Sequence, residues 1–180
     1  MTMNISFDDL AKKYYKLKNL VRYQTSPRIH DETVLEHQAV VAALVAKLRD
    51  DYEFDELKAI KLALFHDYAE NETSDIPHPI KKKLPPDIQD RLEEIEVEIL
   101  RNDLGDEMAQ LLSDFNRFSL ADRSPEGKAV ALADAYSVLL YAKSESTLGN
   151  KEWYDGYVIP YTLKRIGELE ELLRPFKIKS

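Results

Sequence analysis

Strict apolar–polar alternation is almost absent from this chain, and its apolar residues recur instead at intervals of three and four. That spacing places side chains on one face of a 3.6-residue helix, whereas a half-buried strand needs a period of two. Only 5 glycines interrupt the pattern. The spacing predicts an all-α fold of about seven helices, over 6–21, 34–50, 55–69, 86–103, 105–117, 125–146 and 153–173. No repeat and no linker rich in Gly, Pro or Ser divides the 180 residues, so one domain over 1–180 is expected. Prolines 77, 79, 85 and 86 place the longest irregular stretch between Asn71 and Pro86. Long loops of that kind often carry function.

Composition excludes several classes of function. The chain holds 25 basic and 33 acidic residues, for a net charge of −8. Binding to a nucleic-acid polymer needs a surplus of Lys and Arg to displace counterions, and here the balance runs the other way. No apolar window reaches the length of a membrane span, and the start, Met1 to Asp9, turns acidic without the basic and apolar blocks of a signal peptide. Zero cysteines rule out disulfides, thiolate zinc sites and cysteine nucleophiles. A cytoplasmic protein with no membrane partner is expected.

Start signals fix two helices. Thr33-Val34-Leu35-Glu36 reads as a capping box, and Ser124-Pro125-Glu126 joins a capping hydroxyl, a first-turn proline and an acidic residue at the helix's positive end. The first of these helices carries an apolar stripe of Val40, Val41, Leu44, Val45 and Leu48. Extended back by one turn, the stripe reaches His37. The helix over 55–69 is apolar on nearly every side, which predicts a central position, and it ends in His66-Asp67. In the helix from Pro125, Asp134 falls between Val130, Ala133, Ser137, Val138 and Tyr141.

Two histidines and two aspartates from three helices therefore point inward. Any one alone is readable as a satisfied core polar group, for instance His37 bonded to Asp134. Unpaired buried carboxylates cost several kcal/mol, and one divalent cation would satisfy all four groups at once. Two imidazoles with two carboxylates suit Mn²⁺, Co²⁺, Fe²⁺, Ni²⁺ or Zn²⁺. Neighbouring helical residues diverge by about 100°, so His66 and Asp67 can share a cation only at a helix end. A metal that accepts more than four ligands keeps open positions there, which is a catalytic arrangement.

The order His37 … His66-Asp67 … Asp134 resembles the H…HD…D signature of HD-domain metal-dependent phosphohydrolases. Within that superfamily the local strings are similar to the YfbR-type 5′-deoxynucleotidases. These strings are Val21-Arg22-Tyr23, Glu32 to His37, Ala63 to Glu70, Asp75-Ile76-Pro77-His78-Pro79-Ile80-Lys81 and Ala133-Asp134-Ala135. The resemblance covers about residues 15 to 146 and implies a helical HD bundle around a single metal site. It implies His37, His66, Asp67 and Asp134 as metal ligands, close to the substrate. Arg22 would orient the phosphate, and Glu70 would position or deprotonate the attacking water. Tyr23 would lie against the sugar, where the family usually has Trp, and the smaller ring leaves more room for a 2′-OH. Asp75, Ile76, Pro77 and His78 would line the nucleoside pocket, with Asp75 toward the 3′-OH, and Lys81 would adjoin the phosphate.

The leading expectation is a 5′-deoxynucleotidase that releases orthophosphate from deoxynucleoside monophosphates. Its partners would be a small-molecule nucleotide and a second copy of the chain in a homodimer. One alternative keeps the site but changes the cut, as a deoxynucleoside triphosphohydrolase releasing tripolyphosphate, with Lys81 to Lys83 supplying charge. Another, of a different class, is a non-catalytic nucleotide sensor or metal-stabilised scaffold. Outside the site, His30 reads as a surface loop residue, and the stripe Ile88, Leu92, Ile95, Ile99 as amphipathic core. Trp153, Tyr154, Tyr157 and Tyr161 read as packing of the last helix.

Overall fold

In the computed structural model, residues 5–117 and 119–178 are described, the side chains of His78 and Pro79 excepted. Ten α-helical elements run in the order α1 (Phe7–Leu17), α2 (Val34–Leu48), α3 (Glu56–Phe65), α4 (Glu70–Thr73), α5 (His78–Lys81), α6 (Pro86–Leu104), α7 (Asp106–Phe115), α8 (Pro125–Leu148), α9 (Lys151–Trp153) and α10 (Ile159–Leu173). Seven of them exceed two turns, and no strand occurs among the described residues, so the fold class is all-α as expected.

The bundle is organised around α8, which packs against α10, α2 and α3. Its consecutive residues Val130, Ala131, Leu132 and Ala133 are all buried, so this turn of the helix is covered all round. That corrects the sequence reading, which put the 55–69 helix at the centre. Observed α3 is only ten residues long, and Leu57, Lys58 and Lys61 face outward. Val41, Val45, Leu62, Ala63, Val130 and Ala133 form the α2–α3–α8 core, and Leu17, Val34, Tyr68, Leu100 and Leu112 form a second core under α1, α6 and α7. Val40 and Ile88, both expected inside, are exposed at 39% and 45%.

Three departures from the expected boundaries shape the site. First, α1 stops at Leu17 rather than 21. Beyond it Val21 bridges to Thr33, and the Arg22 amide donates to Glu32 O at 2.8 Å, so this backbone pairs across a strap instead of continuing the helix. Second, α3 stops at Phe65 rather than 69. The amides of Tyr68 and Glu70 bond three residues back, to Phe65 O and Asp67 O at 3.1 Å each, and this tighter winding swings Asp67 round beside His66. Third, the 71–86 stretch contains the helical turns of α4 and α5. Ser74, at φ 65°, ends α4. Before α10, the chain from Tyr154 to Val158 winds as a single wide π turn. No helix among the described residues is long and apolar enough to cross a membrane.

The capping box at Thr33 is present in both directions. The Glu36 amide donates to Thr33 Oγ1 at 3.2 Å, and the Thr33 amide donates to Glu36 Oε2 at 2.8 Å. Because His37 follows one turn on, this cap sets the height at which its ring enters the core. Replacing Thr33 with Ala should destabilise the fold by about 1 kcal/mol, read as a lower urea midpoint at unchanged slope.

Candidate active site

His37 on α2 is fully buried. Its Nδ1 lies 3.1 Å from the Ser137 hydroxyl of α8, which orients the ring. His66 caps α3, and its Nδ1–H donates to the Ala63 carbonyl at 2.8 Å. A carbonyl only accepts, so Nδ1 carries a proton, which leaves Nε2 as the ring's ligand atom. Desolvation, with help from the Arg22 charge, lowers the His37 pKa to about 4, so this ring is also neutral near pH 7.

The two Nε2 atoms point at carboxylates. His37 Nε2 stands 3.1 Å from Asp134 Oδ1 and 3.8 Å from Asp67 Oδ2, while His66 Nε2 stands 3.3 Å from Asp67 Oδ2. Neither buried Nε2 is aligned for a hydrogen bond with any described residue. Ligand atoms of His37, His66 and Asp134 all lie within 4.8 Å of one another; Asp67, the fourth expected ligand, reaches both rings but is not part of that mutually close set. Burial acting alone would raise the Asp134 pKa, but His37, His66 and Arg22 together hold it below the ordinary carboxylate range. Imidazole nitrogens and carboxylate oxygens crowd one another in this space, with His37 Nε2 able to meet Asp134 only as a donor. The donor set of two imidazoles and a carboxylate, with Asp67 beside it, fits one divalent cation.

Beside this cluster runs the strap between α1 and α2. Arg22 is partly buried and pairs with Glu32 at 3.2 Å. Its guanidinium carbon lies 5.1 Å over the Tyr23 ring. Tyr23 stacks on Tyr141 of α8 with centroids 4.3 Å apart and planes within 6°. Its backbone is left-handed, at φ 58°, which is strained for a non-glycine residue. The Tyr23 hydroxyl is buried and has no hydrogen-bond partner among the described residues.

Glu70 and Asp75 are partly buried near the same cluster. Burial first, then the Asp67 and Asp75 charges, push the Glu70 pKa well above its usual value, and Glu70 Oε2 makes no hydrogen bond. Burial also raises the Asp75 pKa, against Arg22 and the Tyr23 amide. Ile76 and Pro77 are partly buried, while the side chain of His78 lies outside the described residues. Lys81 pairs with Glu96 at 3.4 Å, and Lys82 lies 3.3 Å from the Tyr161 hydroxyl. Much of the charge expected beside the phosphate is therefore answered by this chain's own groups.

Sequence reasoning took Ser137 and Tyr141 as packing residues and passed over Glu145. In α8 they continue the row that begins at Asp134, at offsets of three, seven and eleven. A polar group recurring at helical spacing inside an apolar helix was the signal that pointed to them. His30, read as a surface residue, is half-exposed and pairs with Glu145 at 2.6 Å.

A helical bundle with histidines and aspartates meeting at its centre defines the HD phosphohydrolase class, and relatives agree. Residues 10–172 match the 5′-deoxynucleotidase YfbR-like family, and the chain belongs to it. The chain is 26% identical over 146 residues to the 5′-deoxynucleotidase VV1113 of Vibrio vulnificus, covering 77% of this chain and 75% of that protein. An HD-domain phosphohydrolase of Listeria innocua shares the fold at a TM-score of 0.69 and 22% identity, over 92% of this chain and 82% of that one. The HD phosphohydrolase DatZ of cyanophage S-2L, solved with dA and one catalytic Zn²⁺, shares it at 0.57 and 17%, over 96% and 99%. The protein is a metal-dependent hydrolase of the HD class, and a small-molecule nucleotide is its substrate.

A raised pKa means that ionised Glu70 costs stability above that pKa, and that the cost vanishes once the group is protonated at lower pH. In chelator-treated protein, Glu70→Gln should therefore raise Tm at pH 8 and change it little at pH 5. An equal gain at both pH values would show that burial does not strain this carboxylate.

Proposed function

We propose that the site hydrolyses 2′-deoxynucleoside 5′-monophosphates to nucleoside and orthophosphate. In this reading His37, His66, Asp67 and Asp134 hold one divalent transition ion, drawn from Co, Mn, Zn, Fe and Ni. The observation that carries it is the pair of buried Nε2 atoms facing two carboxylates next to a partly buried arginine. Such an ion, when bound, lowers the pKa of water and polarises a phosphoryl oxygen.

The chain's own groups supply the rest. Arg22, held by Glu32, binds phosphate oxygens in bidentate fashion and fixes the phosphorus in place. A water oxygen adds to phosphorus and its proton passes to Glu70, whose raised pKa makes its carboxylate a stronger base than an exposed one. The bond from phosphorus to O5′ breaks, O5′ takes up a proton from solvent, and the nucleoside leaves with orthophosphate behind it. Asp75 accepts a hydrogen bond from the sugar 3′-OH, with Ile76 and Pro77 as pocket wall. Tyr23 lies against the sugar, braced by Tyr141.

Monophosphates are favoured over triphosphates for two reasons. The Vibrio vulnificus relative is named a 5′-deoxynucleotidase. Of the three lysines that would bind a longer phosphate chain, Lys81 is paired with Glu96.

Incubating dAMP, AMP and dATP separately with enzyme and Co²⁺ tests the reading. Deoxyadenosine and orthophosphate from dAMP are expected, with AMP cut more slowly. Tripolyphosphate from dATP with dAMP untouched would overturn the monophosphate assignment, and equal rates on AMP and dAMP would remove the role given to Tyr23.

Asp134→Ala should abolish Co²⁺ binding measured by calorimetry, and turnover with it. Arg22→Ala should leave Co²⁺ binding intact and lower kcat by roughly 10²–10⁴-fold, the usual loss for one preorganised donor. Near wild-type kcat in Arg22→Ala would show that this guanidinium does not hold the phosphate.

A further inference from the structure

Glu145 is the one fully buried carboxylate among the described residues that stands outside the candidate site. It lies eleven residues beyond Asp134 on α8, about 16 Å along the axis at 1.5 Å per residue, so it cannot share the cation or reach the phosphate. Every contact it makes goes to the strap or to the end of its own helix. Oε2 accepts the Ile29 amide at 2.7 Å and Asn150 Nδ2 at 2.6 Å. Oε1 accepts the His30 amide at 3.1 Å and faces His30 Nδ1 at 2.6 Å. Burial would raise the pKa of this carboxyl, but the amides of His30 and Ile29 and the Asn150 side chain outweigh it and hold the group ionised.

Two neighbours on the same side fasten the same strap. The Tyr141 hydroxyl donates to His30 O at 3.0 Å, and the Tyr154 hydroxyl donates to Pro27 O at 2.9 Å. Between these anchors and the Val21–Thr33 bridge sit Arg22 and Tyr23. Tyr23 holds its left-handed backbone there, with Arg28 Nη1 donating to its carbonyl at 3.2 Å. A strained residue keeps its conformation only where its surroundings over-determine it. Asp134, Ser137, Tyr141 and Glu145 form one row along α8, so the helix that carries an aspartate of the site also anchors the arginine beside it.

We infer that Glu145 is a positioning residue: by binding the amides of Ile29 and His30 it holds the strap on α8 and so fixes Arg22 and Tyr23 against the candidate metal cluster. This rests on the phosphate role proposed for Arg22. Losing the anchor frees the strap and leaves the ligand cluster in place.

The test uses the full chain loaded with Co²⁺, in four forms: wild type, Glu145→Ala, Arg22→Ala and the double variant. Hydrogen exchange over residues 20–31, Co²⁺ affinity by calorimetry and kcat on dAMP are measured for each. Glu145→Ala should speed exchange across 20–31 while α2 and α3 stay protected. It should keep Co²⁺ affinity within about threefold and lower kcat by roughly 10²-fold, the usual consequence of misplacing a positioning group by about 1 Å. Added to Arg22→Ala, it should cost less than about threefold more, because the two act through one guanidinium.

Full additivity in the double variant, unchanged exchange over 20–31, or parallel loss of Co²⁺ affinity would each overturn the inference. Should Glu145→Ala fail to fold, Glu145→Gln decides. Its amide keeps one acceptor oxygen for two backbone amides, so exchange and kcat should fall between wild type and Ala, and wild-type values for both would refute the role. A wild type that leaves dAMP untouched would sink the proposed substrate, while the exchange data would still decide whether Glu145 holds the strap.

Discussion

Two buried imidazoles whose Nε2 atoms face the carboxylates of Asp67 and Asp134 form the cluster around which this bundle is arranged. Each ring is locked from behind, His66 by the Ala63 carbonyl and His37 by the Ser137 hydroxyl, so neither can turn to find another partner. Without a cation, His37 Nε2 can reach Asp134 at 3.1 Å as a donor, but the crowding of Asp67 against both rings remains. A divalent cation removes it, and the surrounding helices are arranged to maintain that geometry. The α2 cap sets the height of His37, the early end of α3 brings Asp67 beside His66, and the apolar α2–α3–α8 core fixes the distance between helices.

The same helix that closes the cluster also organises what lies next to it. Along α8 the row of Asp134, Ser137, Tyr141 and Glu145 meets in turn a carboxylate–imidazole contact, the back of His37, the Tyr23 ring and the strap amides. The site accordingly carries local costs: Tyr23 in a left-handed conformation, Glu70 with an unpartnered oxygen, and Glu32 buried so that its pKa is raised against the pull of Arg22. Costs of this kind, each on the order of 1–3 kcal/mol for a strained backbone, concentrate where function fixes geometry. The apolar packing of α8 supports them.

Much of this was legible in the sequence because the information was local. Helical spacing identified the seven long helices, the Thr33 and Ser124 caps located two starts, and the extension of apolar stripes put His37, His66 and Asp134 on inward faces. What could not be read depended on contacts between distant residues. The strap looks like a continuation of α1 until Arg22 pairs with Glu32 and Val21 with Thr33. The 55–69 segment looked central because its composition is apolar, yet α8 takes that place through its Ala-rich close approach to α2, α3 and α10. The pairing of Lys81 with Glu96, fifteen residues away, left no sign in the local string. His30 and Glu145, more than a hundred residues apart, showed no sign of their pairing.

The central claim is that one cation resolves the buried imidazole–carboxylate cluster, and anomalous diffraction from crystals grown with Mn²⁺ or Co²⁺ tests it most directly. The expected result is a single peak per chain, within about 2.0–2.3 Å of His37 Nε2 and His66 Nε2 and of one oxygen each from Asp67 and Asp134. A metal-loaded crystal with no peak there, or with any of the four groups more than about 4 Å from it, would contradict the account.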